Sequence, residues 1–175
     1  GDTVGFATLS DIDRKEWLSA VAYYDSTLAR RDFVPGSGMV PIVNILATMD
    51  SAKTLHGSAL DPALAEVLDR VAPVYRRLWW PRHDAANQRW LSNIHQLLAQ
   101  YGDSLAAQES RAFGEPWPTV QVRVDVSAYA NWAGAYTSMG PLHITLSSLS
   151  IGNQSDQGLE ILFHETTHTM DSTLL

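Results

Sequence analysis

Near the end of the sequence, His164-Glu165-Thr166-Thr167-His168 places two imidazoles four residues apart, with a carboxylate beside the first. On an α-helix such residues lie about 40° apart around the axis and one turn along it. Two imidazoles so placed can reach one metal ion from one helix face. Neutral imidazole is a zinc ligand. Glu165 then stands next to the metal without occupying it. Zinc lowers the pKa of a water that it holds to about 7, and a neighbouring carboxylate can take the proton. The chemistry that this spacing points to is hydrolysis. With six His and six Glu in 175 residues, chance supplies the pattern roughly 0.007 times, so coincidence explains it poorly. The bland alternative is a pair of exposed histidines and a glutamate on a surface helix. It fits badly beside the apolar run Ile161-Leu162-Phe163.

A catalytic zinc takes three protein ligands and a water. Asp171 is one source of the third, since it lies seven residues after His164 and would share its helix face. It also reads as an acid that orients an imidazole, or as an exposed acid near the helix end. His143, in a strand candidate, is a more remote source. A site without a third protein ligand is a further alternative. The preferred expectation is a residue beyond Leu175, which makes the 175 residues the N-terminal portion of a larger catalytic unit.

The elements that must position the motif come from periodicity. Ser10 with Asp13 resembles a capping box. It precedes Trp17, Leu18, Val21, Tyr24 and Leu28, whose spacing predicts one apolar helix face. Residues 32–38 form a break. The segment from Ile42 to Met49 is a helix or a buried strand. Asp61-Pro62 reads as an N-cap and first helical position. It opens a helix through Leu64, Leu68, Val71, Tyr75 and Leu78, with Pro73 as a place for a kink. A further helix is expected from His83 to Tyr101, ended by Gly102, then a short one from Ser104 to Phe113. Val120, Val122, Val124 and Val126 alternate as a strand with one buried face. Tyr129–Thr137 and Leu142–Ser147 are strand candidates. Ser150 to Gly158 reads as a loop, and Leu159 to Met170 as the motif helix. The expected fold is α+β: N-terminal helices over 1–118, then a small mixed sheet and the metal-binding helix over 119–175, within one domain that continues past the given residues.

Ile161 to Met170 resembles the extended motif of the zincin zinc metallopeptidases. Asn131-Trp132-Ala133-Gly134-Ala135-Tyr136, then a short strand and a loop into the motif helix, is similar to the order in the thermolysin-like, gluzincin branch. The resemblance implies a zincin-like fold and a zinc cofactor held by His164 and His168. It implies Glu165 as general base, and an edge strand, Ala133 to Tyr136, that pairs with extended peptide substrate. It covers about 45 residues, and only the motif is specific. The chain departs from the family in being helix-rich ahead of the motif. It also lacks the metzincin Gly and third His, because Thr169-Met170-Asp171 follows His168. No glutamate falls in the seven residues after the motif, where the gluzincin branch has one well downstream on a second helix.

Composition narrows the alternatives. Apolar residues make up 45% and charged residues 18%, and there is no cysteine. This excludes a disordered chain, a disulfide scaffold and a thiolate nucleophile or ligand. A net charge of −7, with no Lys or Arg after Arg123, argues against nucleic acid as a partner. No apolar run approaches the roughly 18–20 residues of a membrane span. The leading Gly1-Asp2 suggests a processed or engineered start, which with the cysteine-free composition leads to the expectation of a secreted or periplasmic protein, with a cytoplasmic one as the alternative. His56 reads as solvated, and His83 and His95 lie too far around a helix to share a metal. Tyr129 and Tyr136 read as packing residues that can also donate to an oxyanion. Residues 79–84, Trp-Trp-Pro-Arg-His-Asp, read as a helix junction, and Ser147, Ser148 and Ser150 lack a nucleophile-elbow context. The expected function is that of a zinc-dependent metallopeptidase acting on peptide or protein. The alternatives are a non-catalytic zincin-like binding domain that has lost its metal site, and a zinc hydrolase acting on a non-peptide amide.

Overall fold

The computed structural model describes residues 3, 5–31, 38–49, 52–119, 121–130, 134–139 and 142–170. Of the expectations above, Val120, Asn131, Trp132, Ala133 and Asp171 lie outside the described residues, as does most of the 32–38 break. The chain divides into two compact units, Gly1–Pro81 and Arg82–Leu175. The change of pattern near residue 118 is a change from helix to strand inside the second of these.

The first unit is helical, with α1 (Asp11–Thr27), α2 (Val40–Ala47) and α3 (Pro62–Leu78). Ser10 caps α1, its hydroxyl accepting from Asp13 N–H at 3.1 Å. Asp61 caps α3 by accepting from Ala63 and Leu64 N–H at 3.0 and 3.1 Å, and α3 continues through Pro73. The ambiguous second segment is helical, with Pro41 in its first turn. One face of α1 departs from its pattern. Leu18, Val21 and Tyr24 are exposed, although their spacing predicts burial. The side of α1 toward α3 is instead carried by ion pairs and two rings, one of them Tyr23, which packs beside Leu64 and Ala65. Glu16 pairs with Arg70 at 2.9 Å and Asp13 with Arg77 at 2.6 Å, while Trp17 lies 4.2 Å from Trp79.

The second unit contains the motif. Its elements are α4 (Trp80–Phe113, beginning at the division), β1 (Arg123–Ser127), β2 (Ala135–Met139), β3 (Leu142–Ser147) and α5 (Asp156–Thr167). With the first unit, this makes an α+β fold of five helices and one small mixed sheet among the described residues. Two expected helices are one, since α4 runs unbroken through Gly102. A mid-helix glycine costs about 1 kcal/mol relative to alanine. Here Leu97 and Leu98 before it and Leu105 and Ala106 after it all pack on one core, which outweighs that cost. The sheet order is β1-β3-β2, with β1 parallel and β2 antiparallel to β3. Its core face presents Val124, Val126, Ala135, Ile144 and Leu146 to Trp90 and Ile94 of α4 and to Leu159, Leu162 and Phe163 of α5. Ile144 and Leu146 are fully buried. Among the described residues no helix is long and apolar enough to cross a membrane.

Candidate metal centre

The motif helix starts earlier than its apolar spacing predicts. A 3-10 turn over Ile151–Asn153 leads into α5 at Asp156, so Gly158 lies within the helix. Asp156 places a negative charge at the positive end of the helix dipole. Leu159, Leu162 and Phe163 face the interior, at the 3–4 spacing of a one-sided helix, and the helix ends at Thr167 rather than Met170, with His168 as its C-cap. Phe163 stacks on Trp117 at a centroid distance of 4.9 Å. This burial turns His164 and His168 to the opposite, exposed side.

The two imidazoles stand edge to face with ring centres 5.1 Å apart. One ligand atom from each of His164, Glu165 and His168 falls within 4.8 Å of the others. His164 and His168 offer two imidazole nitrogens, ligands that suit a borderline divalent ion such as zinc, and the Glu165 carboxylate stands beside them. The site lies in the last turn of α5, where the carbonyl ends of the helix favour a cation. Two donors therefore suit the group that the motif implies, and among the described residues no His, Cys, Asp or Glu other than Glu165 joins them. His164 and His168 are the residues able to hold it, and both are open to approach.

Glu165 is set differently from its neighbours. It is 8% exposed and lies against β2. The Thr137 hydroxyl stands 2.7 Å from Glu165 Oε2 and 2.9 Å from the Glu165 carbonyl oxygen. In this way the buried carboxylate has a donor, as a charge out of water requires.

β2 is an edge strand among the described residues. Ser147 N–H donates to the Gly134 carbonyl at 2.8 Å, so these two face each other across a hydrogen-bonded pair. Such pairs alternate along an antiparallel ladder. In the register Ala135↔Leu146, Tyr136↔Thr145, Thr137↔Ile144, the backbone N–H and C=O of Ala135 and Thr137 therefore point to the open edge. Those of Gly134 and Tyr136 point into the sheet. An extended chain laid along β2 would meet the backbone of Ala135 and Thr137.

Side chains alternate as well. Thr137 shares the core face with Ile144, whereas Tyr136, Thr145 and His143 lie on the other face with Arg123 and Asp125. Burial pushes the Tyr136 phenol up, a hydrogen bond with Thr145 opposes that, and the charge of Asp125 adds to it. Tyr136 is thus turned away from the imidazoles and the carboxylate. His143 is 1% exposed on this second face and does not join the cluster. Tyr129 is exposed and meets His83 edge-on at 5.5 Å.

Several positioning residues escape sequence reasoning. Asn153 donates from Nδ2 to the Gly134 and Ser147 carbonyls, each at 2.8 Å, and its own carbonyl accepts from Trp90 Nε1 at 2.8 Å. It ties the start of β2, the end of β3 and α4 together just ahead of the motif helix. Asn87 of α4 donates to the Val126 carbonyl at 3.1 Å and accepts from the Ser148 hydroxyl at 2.7 Å. Neither asparagine stands in a pattern that marks it. Thr137 and Glu165 are 28 residues apart, and only the strand register brings them together. Comparison with known proteins returned no matching family model, no matching curated protein and no matching solved structure.

Proposed function

We infer that the chain carries the metal centre of a zinc-dependent metallopeptidase of the zincin type. The observation that carries this reading is the exposed His164–His168 pair with a buried carboxylate beside it, all within 4.8 Å. His164 and His168 hold the ion. Zinc bound there supplies Lewis acidity, which polarises a carbonyl and makes a water easier to deprotonate. Glu165 is the general base. It takes a proton from the attacking water and passes it to the leaving amine as the tetrahedral adduct collapses.

The substrate is an extended peptide. It adds to β2 as a strand, with main-chain hydrogen bonds to Ala135 and Thr137. Gly134 and Tyr136 flank that contact. The zincin resemblance, the antiparallel edge strand and the position of that strand against the motif helix support the reading together.

The test is hydrolysis of an unbiased peptide library, read by mass spectrometry. The zinc-loaded chain should cleave it, and Glu165→Gln should lower the rate by about 100-fold or more while zinc stays bound. Cleavage that persists in the variant would remove Glu165 from the mechanism. Cleavage of non-peptide amides alone would reassign the substrate.

A further inference from the structure

Thr137 joins the edge strand to the motif helix through a single hydroxyl. That hydroxyl has one hydrogen and two acceptors in reach, Glu165 Oε2 at 2.7 Å and the Glu165 carbonyl oxygen at 2.9 Å. Both acceptors belong to the same residue. A donor that bridges a side-chain oxygen and the backbone oxygen of one residue selects one side-chain conformation out of the staggered set. Glu165 has little water around it to take over this duty, at 8% exposure. The carbonyl lies in the last turn of α5, where helix carbonyls need partners from outside the helix. The same Thr137 turns its backbone N–H and C=O to the open edge of β2, as the hydrogen-bonded pair Gly134–Ser147 and the register require. One residue therefore meets both a strand added at the edge and the carboxylate behind it.

We propose that Thr137 is the positioning residue of the site: its hydroxyl sets the orientation of the Glu165 carboxylate and ties it to the strand on which a peptide lies. The proposal rests on the reading of Glu165 as the general base. Thr137 does not touch the reacting atoms and acts through Glu165. Supporting side chains of this kind are worth about 10- to 100-fold when lost. The backbone groups of Thr137 survive any side-chain change, so substrate affinity should not follow the loss.

Thr137→Val removes the hydroxyl and keeps the shape, and Thr137→Ser restores the hydroxyl. The first measurement is the crystal structure of each metal-free protein. Glu165 should keep one carboxylate orientation in the parent and in Thr137→Ser. In Thr137→Val it should turn away or divide between orientations. The second is zinc affinity by chelator competition, expected to be unchanged in all three. The third is turnover of the best-cleaved peptide from the library. Thr137→Val should lose about 10- to 100-fold in kcat at constant KM, and Thr137→Ser should recover most of it. An unmoved Glu165 carboxylate in Thr137→Val overturns the proposal, and so does an unchanged kcat. Should Thr137→Val not fold, Thr137→Ala takes its place against Thr137→Ser. If the parent chain cleaves nothing, the peptidase reading fails, and the carboxylate orientation, which needs neither metal nor substrate, decides the role of Thr137.

Discussion

A Cβ on Gly158 would stand 2.5 Å from the backbone carbonyl oxygen of Asn153, and 3.2 Å from Trp90 Nε1. The motif helix is thus seated against α4 and the preceding turn at a distance that only glycine allows. The first of these contacts is the decisive one, because a backbone oxygen cannot swing aside as a long side chain can.

Gly158→Ala sets two effects against each other. Alanine favours the helix by about 1 kcal/mol, while overfilling a closed contact costs about 1–3 kcal/mol and more when backbone must shift. The contact should win. Urea unfolding should show a net loss of about 1–2 kcal/mol, and zinc affinity should fall with it as α5 moves. A stabilised variant would show that α5 is not held at this point.

Asn153→Ala removes two donors from the carbonyls of Gly134 and Ser147. The Gly134 carbonyl keeps the Ser147 N–H, so the larger penalty falls on Ser147. A buried acceptor left unpaired costs about 1–3 kcal/mol. Denaturant unfolding should report a loss in that range, and Asn153→Asp should not rescue it, because a carboxylate cannot donate to a carbonyl.

The histidine spacing of the motif is legible in the sequence because it is local, and so are the Ser10 and Asp61 caps. The Val122–Val126 alternation and the apolar side of α5 are legible because these side chains meet in one core, although β1 is half-buried on both faces. Relationships that depend on register are not. Thr137 meets Glu165 only because β2 runs antiparallel to β3 in one particular pairing. Gly102 reads as a helix end, yet core contacts on both sides of it carry α4 through. Gly158 and Asn153 read as loop residues because their roles are a close approach and a set of carbonyl contacts, neither of which has a period. The spacing on α1 holds for Trp17 and Leu28, which are packed, and misleads for Leu18, Val21 and Tyr24, because ion pairs and Tyr23 take their place on the side toward α3.

Burial holds the His83 imidazole below its ordinary value, and the charge of Arg82 adds to this. The folded value is lowered, so the unfolded chain takes up the proton first as pH falls. The stability contributed by neutral His83 is complete above the unfolded value of about 6.5 and is lost as pH falls from there through the lower folded value. Urea midpoints measured between pH 8 and pH 5 should decline less steeply for His83→Gln than for the parent chain. Parallel declines would place His83 in contact with water.

The Asp69 carboxyl is also held low, first by the Thr54 hydroxyl and then by the Leu55 N–H, which it accepts at 2.8 Å. For a carboxylate with a lowered folded value, the contribution is present above the unfolded value of about 3.9 and disappears as pH falls through the folded one. Asp69→Asn should flatten the acid limb of the unfolding profile below about pH 4, and Thr54→Val should flatten part of it. An acid limb unchanged in both variants would contradict the assignment.

The zinc content of the folded chain, measured by elemental analysis after equilibration with zinc and removal of excess, tests most directly whether His164 and His168 form a metal centre. About one zinc per chain is expected for the parent and for Glu165→Gln, and a large loss of zinc for His164→Ala and for His168→Ala with the fold retained. A parent chain that holds no zinc, or histidine variants that hold as much as the parent, would contradict it.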